Sequence, residues 1–176
     1  LVRRFESSEY AFRMSLEYMI NSSNQILKWI ENKKKMPVYK KGNLPDVDDF
    51  YKTDDDGNEL ITETYEKYEQ HGFFEIDMKY IKDSFVEDIK ADMALLCEIQ
   101  RKWFGKEGEI KTDPKLESFK TILKSQLDHE PKRKIIVFTE FADTADYLGK
   151  ELQNYGLPVF KYTSADASQG NKGIIN

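Results

Sequence analysis

Apolar residues recur at helical spacing over most of this chain, then switch to a short continuous run near residue 135. Phe5, Phe12, Leu16, Met19, Ile26 and Ile30 predict one long helix over 5–35. Ser22 and Ser23 weaken its middle, Lys33 to Lys35 suit the negative end of its dipole, and Pro37 stops it. Pro37, Gly42, Pro45 and Asp56-Gly57 then mark 36–58 as a long surface loop. Residues 59–70 read as a short acidic helix ending at His71-Gly72. Over 79–104, Ile81, Phe85, Ile89, Met93, Leu96, Ile99 and Trp103 step by three or four, the strongest helical pattern in the chain. Gly105 and Gly108 end it. Asp113-Pro114 has the form of an N-cap followed by proline at the first helical position, and Leu116, Phe119, Ile122, Leu123 and Leu127 supply the apolar face of the next helix.

From Lys134 the period changes. Ile135-Ile136-Val137-Phe138 is the pattern of a strand buried on both faces, as in a parallel sheet. Residues 142–154 return to helix, with Ala145, Leu148 and Leu152 inward and Gly156 at the C-cap, and Val159 to Tyr162 reads as a second strand. Together these predict a βαβ unit. The expected fold is therefore mostly α, a helical bundle over 1–112 followed by a truncated α/β unit over 113–176. A two-stranded parallel sheet leaves its edges unpaired, so further strands are expected from a longer parent, from a second copy forming a homo-oligomer, or by packing on the helices. The start at Leu1, directly in an amphipathic pattern, reads as a piece of something longer.

Composition narrows the class. The chain is 39% hydrophobic and 13% aromatic, enough for a core, and its 34% charged residues carry both signs, which favours soluble helices over disorder. No apolar run approaches the roughly 20 residues that cross a bilayer, and the residues from Leu1 onward do not have the pattern expected of a signal peptide. The single cysteine, Cys97, excludes an internal disulfide framework, so a cytoplasmic location without membrane partners is expected. Charge is unevenly spread within a net of −5: the first 41 residues are basic, and a strongly acidic stretch from Asp46 to Glu69 follows. A local basic face is compatible with that balance.

Several chemical signals fail on inspection. Asp54, Asp56, Gly57 and Glu63 take four places of a calcium loop, but Lys52 stands at the first. Gly170-Asn171-Lys172-Gly173 lacks the spacing and the Lys-Ser/Thr pair of a phosphate loop. His71 and His129 have no metal-ligating neighbours, and no triad of catalytic side chains can be assembled, so neither metal ligands nor catalytic residues are assigned.

The informative stretch runs from Lys134 to Leu148. A strand there delivers Thr139 and Glu140 to its carboxyl end, where open α/β sheets bind ligands, and Asp143 and Thr144 open a helix whose N-terminus suits phosphate. Plain N-capping by Asp143 or Thr144 is the competing reading. This stretch resembles motif IV of superfamily 2 helicases, in their Swi/Snf-like bacterial branch, where a hydrophobic-IFT-E/Q-aromatic strand precedes D/T-A-x-x-L. Asp113-Pro-Lys-Leu116 with Phe119 and Leu123 looks like the helix leading into that strand. Arg3-Arg4 with Ser7-Ser8 and Ala11-Phe12-Arg13 resembles that branch's K/R-R-x-x-S-S-x-x-A-F segment, and Tyr162-Thr-Ser-Ala165 sits at its next phosphate-contacting turn.

The resemblance implies an inter-lobe helical region, then the start of a RecA-like second motor domain, in an ATP-dependent DNA translocase. It implies nucleic-acid contacts at Thr139, Glu140, Thr144, Thr163 and Ser164, with Arg3, Arg4 and Arg13 along a DNA path or on a solvated face. A carboxylate repels phosphate, so Glu140 is expected instead to orient an arginine or a hydroxyl. The Walker A loop and Asp-Glu box are absent from the sequence, so ATP and Mg belong to the rest of the helicase, and no cofactor or ATP turnover is expected of this chain. A helical protein-interaction module, and the bridging region of a nuclease or restriction-associated subunit, are the alternatives.

Overall fold

A computed structural model describes residues 1–39, 44, 46–53, 59–105, 110 and 112–163, with the side chains of 52 and 53 excepted. It is mostly helical. In chain order the elements are α1 (Val2–Ser7), α2 (Glu9–Lys33), β1 (Lys35–Val38), α3 (Val47–Phe50), β2 (Tyr51–Thr53), β3 (Glu59–Ile61), α4 (Glu63–Gln70), β4 (Phe74–Asp77), α5 (Phe85–Phe104), α6 (Pro114–His129) and α7 (Ala142–Asn154), with a short 3-10 turn at Met78–Tyr80. Two compact units result: Leu1–Ser15 with Trp103–Asn176, and Leu16–Lys102.

The first predicted helix is broken at Ser8. Its Oγ accepts from the Ala11 N–H at 3.0 Å and so caps α2, while its extended backbone (φ −161°) ends α1. The predicted surface loop contains structure instead. β1 pairs antiparallel with β4, placing Lys35 opposite Asp77 and Val38 opposite Phe74, and β2 pairs antiparallel with β3. Those short ribbons have weak sequence signals because Pro37 sits inside β1, Glu75 and Asp77 alternate along β4, and β2 and β3 have three residues each; what makes them is pairing with a distant partner.

The core of the second unit is aromatic. Trp29, Val47, Phe50 and Phe73 are buried together, with Tyr39, Tyr51, Tyr65 and Tyr68 against them. Edge-on contacts organise it: Trp29 to Phe50 at 5.0 Å and Phe50 to Phe73 at 4.9 Å. Phe73 reaches this core because α4 ends in a Schellman turn, with Gly72 at φ +90°, Gly72 N–H donating to Glu69 O and Phe73 N–H to Tyr68 O, each at 3.0 Å. Glu75 on β4 is 4% exposed and ties three elements together. Its carboxylate accepts from Trp29 Nε1 at 2.6 Å, Tyr51 Oη at 2.8 Å and Lys35 Nζ at 3.0 Å. Burial pushes this carboxyl up, but those hydrogen bonds and the lysine charge outweigh it and hold the group below its ordinary value. Burial, then the bond to Glu75, pushes the Tyr51 hydroxyl well up.

The predicted strands 135–138 and 159–162 correct differently. Neither is a strand in the structure, and the described strands are antiparallel and lie elsewhere. Ile136 is 78% and Phe138 91% exposed, and Phe160 and Tyr162 are exposed as well. An apolar β-branched run forms a strand only when a ladder partner satisfies its backbone; among the described residues neither segment has one. The helix between them forms as expected, and its end is a second Schellman turn: Gly156 has φ +88°, and Leu157 N–H donates to Leu152 O at 3.0 Å.

Candidate nucleic-acid interface

Five of the residues singled out by sequence, Arg3, Arg4, Thr139, Glu140 and Thr144, meet in the first unit. α6 begins at Asp113, which caps it by accepting from the Leu116 N–H at 2.9 Å and is 7% exposed. Its second oxygen accepts from the Tyr147 hydroxyl of α7 at 3.1 Å, so one carboxylate fixes two helices. Burial, then the Asp113 charge, pushes the Tyr147 hydroxyl up. Burial, then the same charge, pushes the Glu9 carboxyl up. Tyr147 stacks on Tyr10 with ring centres 5.2 Å apart, bringing the start of α2 alongside.

The turn before α7 lies next to the N-terminal segment. Neither Asp143 nor Thr144 caps α7; its N-cap is Phe141, which makes no side-chain cap bond. Asp143 and Thr144 stand inside the first turn, so their side chains face sideways. Asp143 pairs with the guanidinium of Arg4, which also donates from Nε to Ser15 Oγ at 2.8 Å and lies 4.7 Å from the centre of the Phe141 ring. Thr144 is 3% exposed, its Oγ1 2.8 Å from Ser7 Oγ and 2.9 Å from Ser8 Oγ. Lys115 Nζ donates to the carbonyls of Glu6 at 2.5 Å and Ser7 at 3.1 Å, satisfying acceptors left open at the end of α1.

An open groove of about 1020 Å³ lies beside this cluster, bordered by Arg3, Ser7, Lys115, Phe119, Phe138 and Glu140. Arg3 is 82% exposed and reaches within 4.0 Å of Glu140, which is itself exposed. Thr139 is exposed and accepts from the Phe141 N–H at 3.4 Å. No protein-family model, curated protein or solved structure matches this chain. What the groove offers has to be read from its own residues.

Of the sequence-predicted contacts, Arg3, Arg4, Thr139, Glu140 and Thr144 come together here. Arg13 lies on α2 with its guanidinium 5.3 Å from the Tyr10 ring centre. Thr163 is part-buried outside the groove lining, and Ser164 lies outside the described residues, as do Asp54, Asp56, Gly57 and Gly170 to Gly173 of the rejected motifs. Among the described residues no group of three or more His, Cys, Asp or Glu is placed to hold a metal ion, and no helix is long and apolar enough to cross a membrane. Missed from sequence were the Arg4–Asp143 pair, Lys115 on the α1 carbonyls and the Tyr147–Asp113 bond. Their partners are far apart along the chain, so no local pattern pairs them.

Proposed function

We propose that this chain carries part of the phosphate track of an ATP-dependent, helicase-like DNA translocase, in the manner its motif IV-like stretch implies. Two segments that carry the resemblance, Arg3 to Ser8 and Thr139 to Thr144, adjoin each other, with Arg4 and Asp143 paired across 139 positions of sequence; this observation supports the reading. Exposed Arg3 and Thr139, at the rim of the groove, are the groups a backbone phosphate would meet first. Such contacts hold a strand in place without reading its sequence. ATP and Mg belong, in this reading, to the rest of the translocase.

The positive groups at the rim are offset by Glu6, Glu140 and Asp143, so affinity is expected to be weak and strongly salt-dependent. Binding of duplex and single-stranded DNA, measured at low salt and then against rising salt, tests this. Arg3→Glu should weaken binding and flatten the salt dependence. Absence of binding even at low salt would refute the reading. In that event a protein-interaction module becomes the better account, favoured by the exposed Ile136, Phe138 and Phe160.

A further inference from the structure

The groups assigned to phosphate contact are engaged with one another. Arg4 is spent on Asp143 and Ser15, and the buried Thr144 hydroxyl is enclosed by those of Ser7 and Ser8. Each hydroxyl carries a single proton. Ser8 Oγ accepts the Ala11 N–H and can donate its own proton to Thr144, which in turn can donate to Ser7. Lys115 reinforces the arrangement by gripping the carbonyls of Glu6 and Ser7. The end of α1 and the start of α2 are thus fastened to the first turn of α7 by an ion pair and a chain of hydroxyls. Meanwhile that first turn receives no side-chain cap.

We propose that Arg4, Ser7 and Ser8 form a latch on the first turn of α7 that nucleic-acid phosphate must open before it binds there. This rests on the phosphate-track reading and specifies how that track is regulated. A ligand that binds only the open form has its apparent affinity reduced by the fraction of molecules that are open. Release exchanges Asp143 for phosphate at Arg4, trading one charge-assisted pair for another. Thr144 is then a positioning residue and not a phosphate contact. Loosening the latch therefore tightens DNA binding, whereas removing a genuine phosphate contact weakens it.

The discriminating variants are Ser7→Ala and Thr144→Val, which alter no charge, with Ser7→Thr retaining the hydroxyl. Far-UV circular dichroism establishes that each variant keeps its helices. Amide hydrogen exchange over residues 145–148, whose N–H groups bond the carbonyls of 141–144, and binding of a fluorescent DNA duplex at low salt are then compared. Ser7→Ala should speed exchange and tighten DNA binding by about two- to tenfold, as expected from loss of one net hydrogen bond, and Thr144→Val, which also breaks the bond to Ser8, should do so at least as strongly. The double variant should behave as Thr144→Val does, because that substitution already breaks the link to Ser7, and Ser7→Thr should behave as the parent chain. Weaker DNA binding by Thr144→Val, with Ser7→Ala unchanged, would overturn the latch and make Thr144 a direct contact. If no form binds DNA, the translocase reading fails separately. Exchange then decides for the latch as a clasp if the two substitutions are non-additive, and against it if exchange is unchanged.

Discussion

At the scale of single residues, Glu75 and Asp113 organise their units in the same way. Each is a nearly buried carboxylate with donors from several elements. Replacing Glu75 with alanine strands Trp29 Nε1–H and Tyr51 O–H in an aromatic core and leaves Lys35 without its partner. A loss of about 2–4 kcal/mol is expected, from unsatisfied donors and the broken ion pair, and denaturant unfolding followed by tryptophan fluorescence measures it. The sign of the pH dependence follows from the depressed Glu75 carboxyl. Its contribution is present above the ordinary value of 4.5 and is lost as pH falls through the lower folded value. Glu9 has the opposite sign. Its raised carboxyl costs stability when ionised at neutral pH, and that cost disappears as pH falls toward 4.5. Glu9→Gln should therefore raise the melting temperature at pH 7 and change it less at pH 4.

At the scale of elements, helix ends carry most of the definition. Gly72 and Gly156 hold positive φ in the turns that close α4 and α7, and an alanine at either position should cost about 1 kcal/mol. The two substitutions differ in consequence. Gly72→Ala disturbs the entry of Phe73 into the aromatic core, whereas Gly156→Ala disturbs a surface turn, so thermal unfolding should show the larger loss for Gly72. Asp113→Ala removes the cap of α6 together with the acceptor of Tyr147. The expected loss exceeds the roughly 1 kcal/mol of an ordinary cap. Helix existence was legible from apolar spacing in α2, α5, α6 and α7, and in α4 from an acidic run closed by His71-Gly72. The break at Ser8 and the late start of α5 at Phe85 were not, because Ser8 and Ser84 act through local bonds, to the Ala11 N–H and the Asp88 carboxylate, that periodicity does not register. The ribbons β1–β4 and β2–β3 were illegible for a different reason: three or four residues with a proline or alternating acids gain strand form only from a partner far along the chain.

At the scale of the whole molecule, sequence by itself determined the helical majority, the cap at Asp113 and the glycine-terminated ends. These are decided within a few neighbouring residues, by spacing, caps and backbone freedom. It also marked Arg3, Arg4, Arg13, Thr139, Glu140, Thr144, Thr163 and Ser164 as candidate contacts, of which the fold brings Arg3, Arg4, Thr139, Glu140 and Thr144 together. Only the tertiary structure decided that Arg4 faces Asp143, that Thr144 is closed in by Ser7 and Ser8, and that Glu75 gathers Trp29, Tyr51 and Lys35. It also decided that the apolar segments around Ile136 and Phe160 stay outside any strand and exposed. The physical reason is common to all of these. Hydrogen bonds, ion pairs and strand ladders depend on which distant groups the folded chain brings within about 3 Å, and no local pattern encodes that distance.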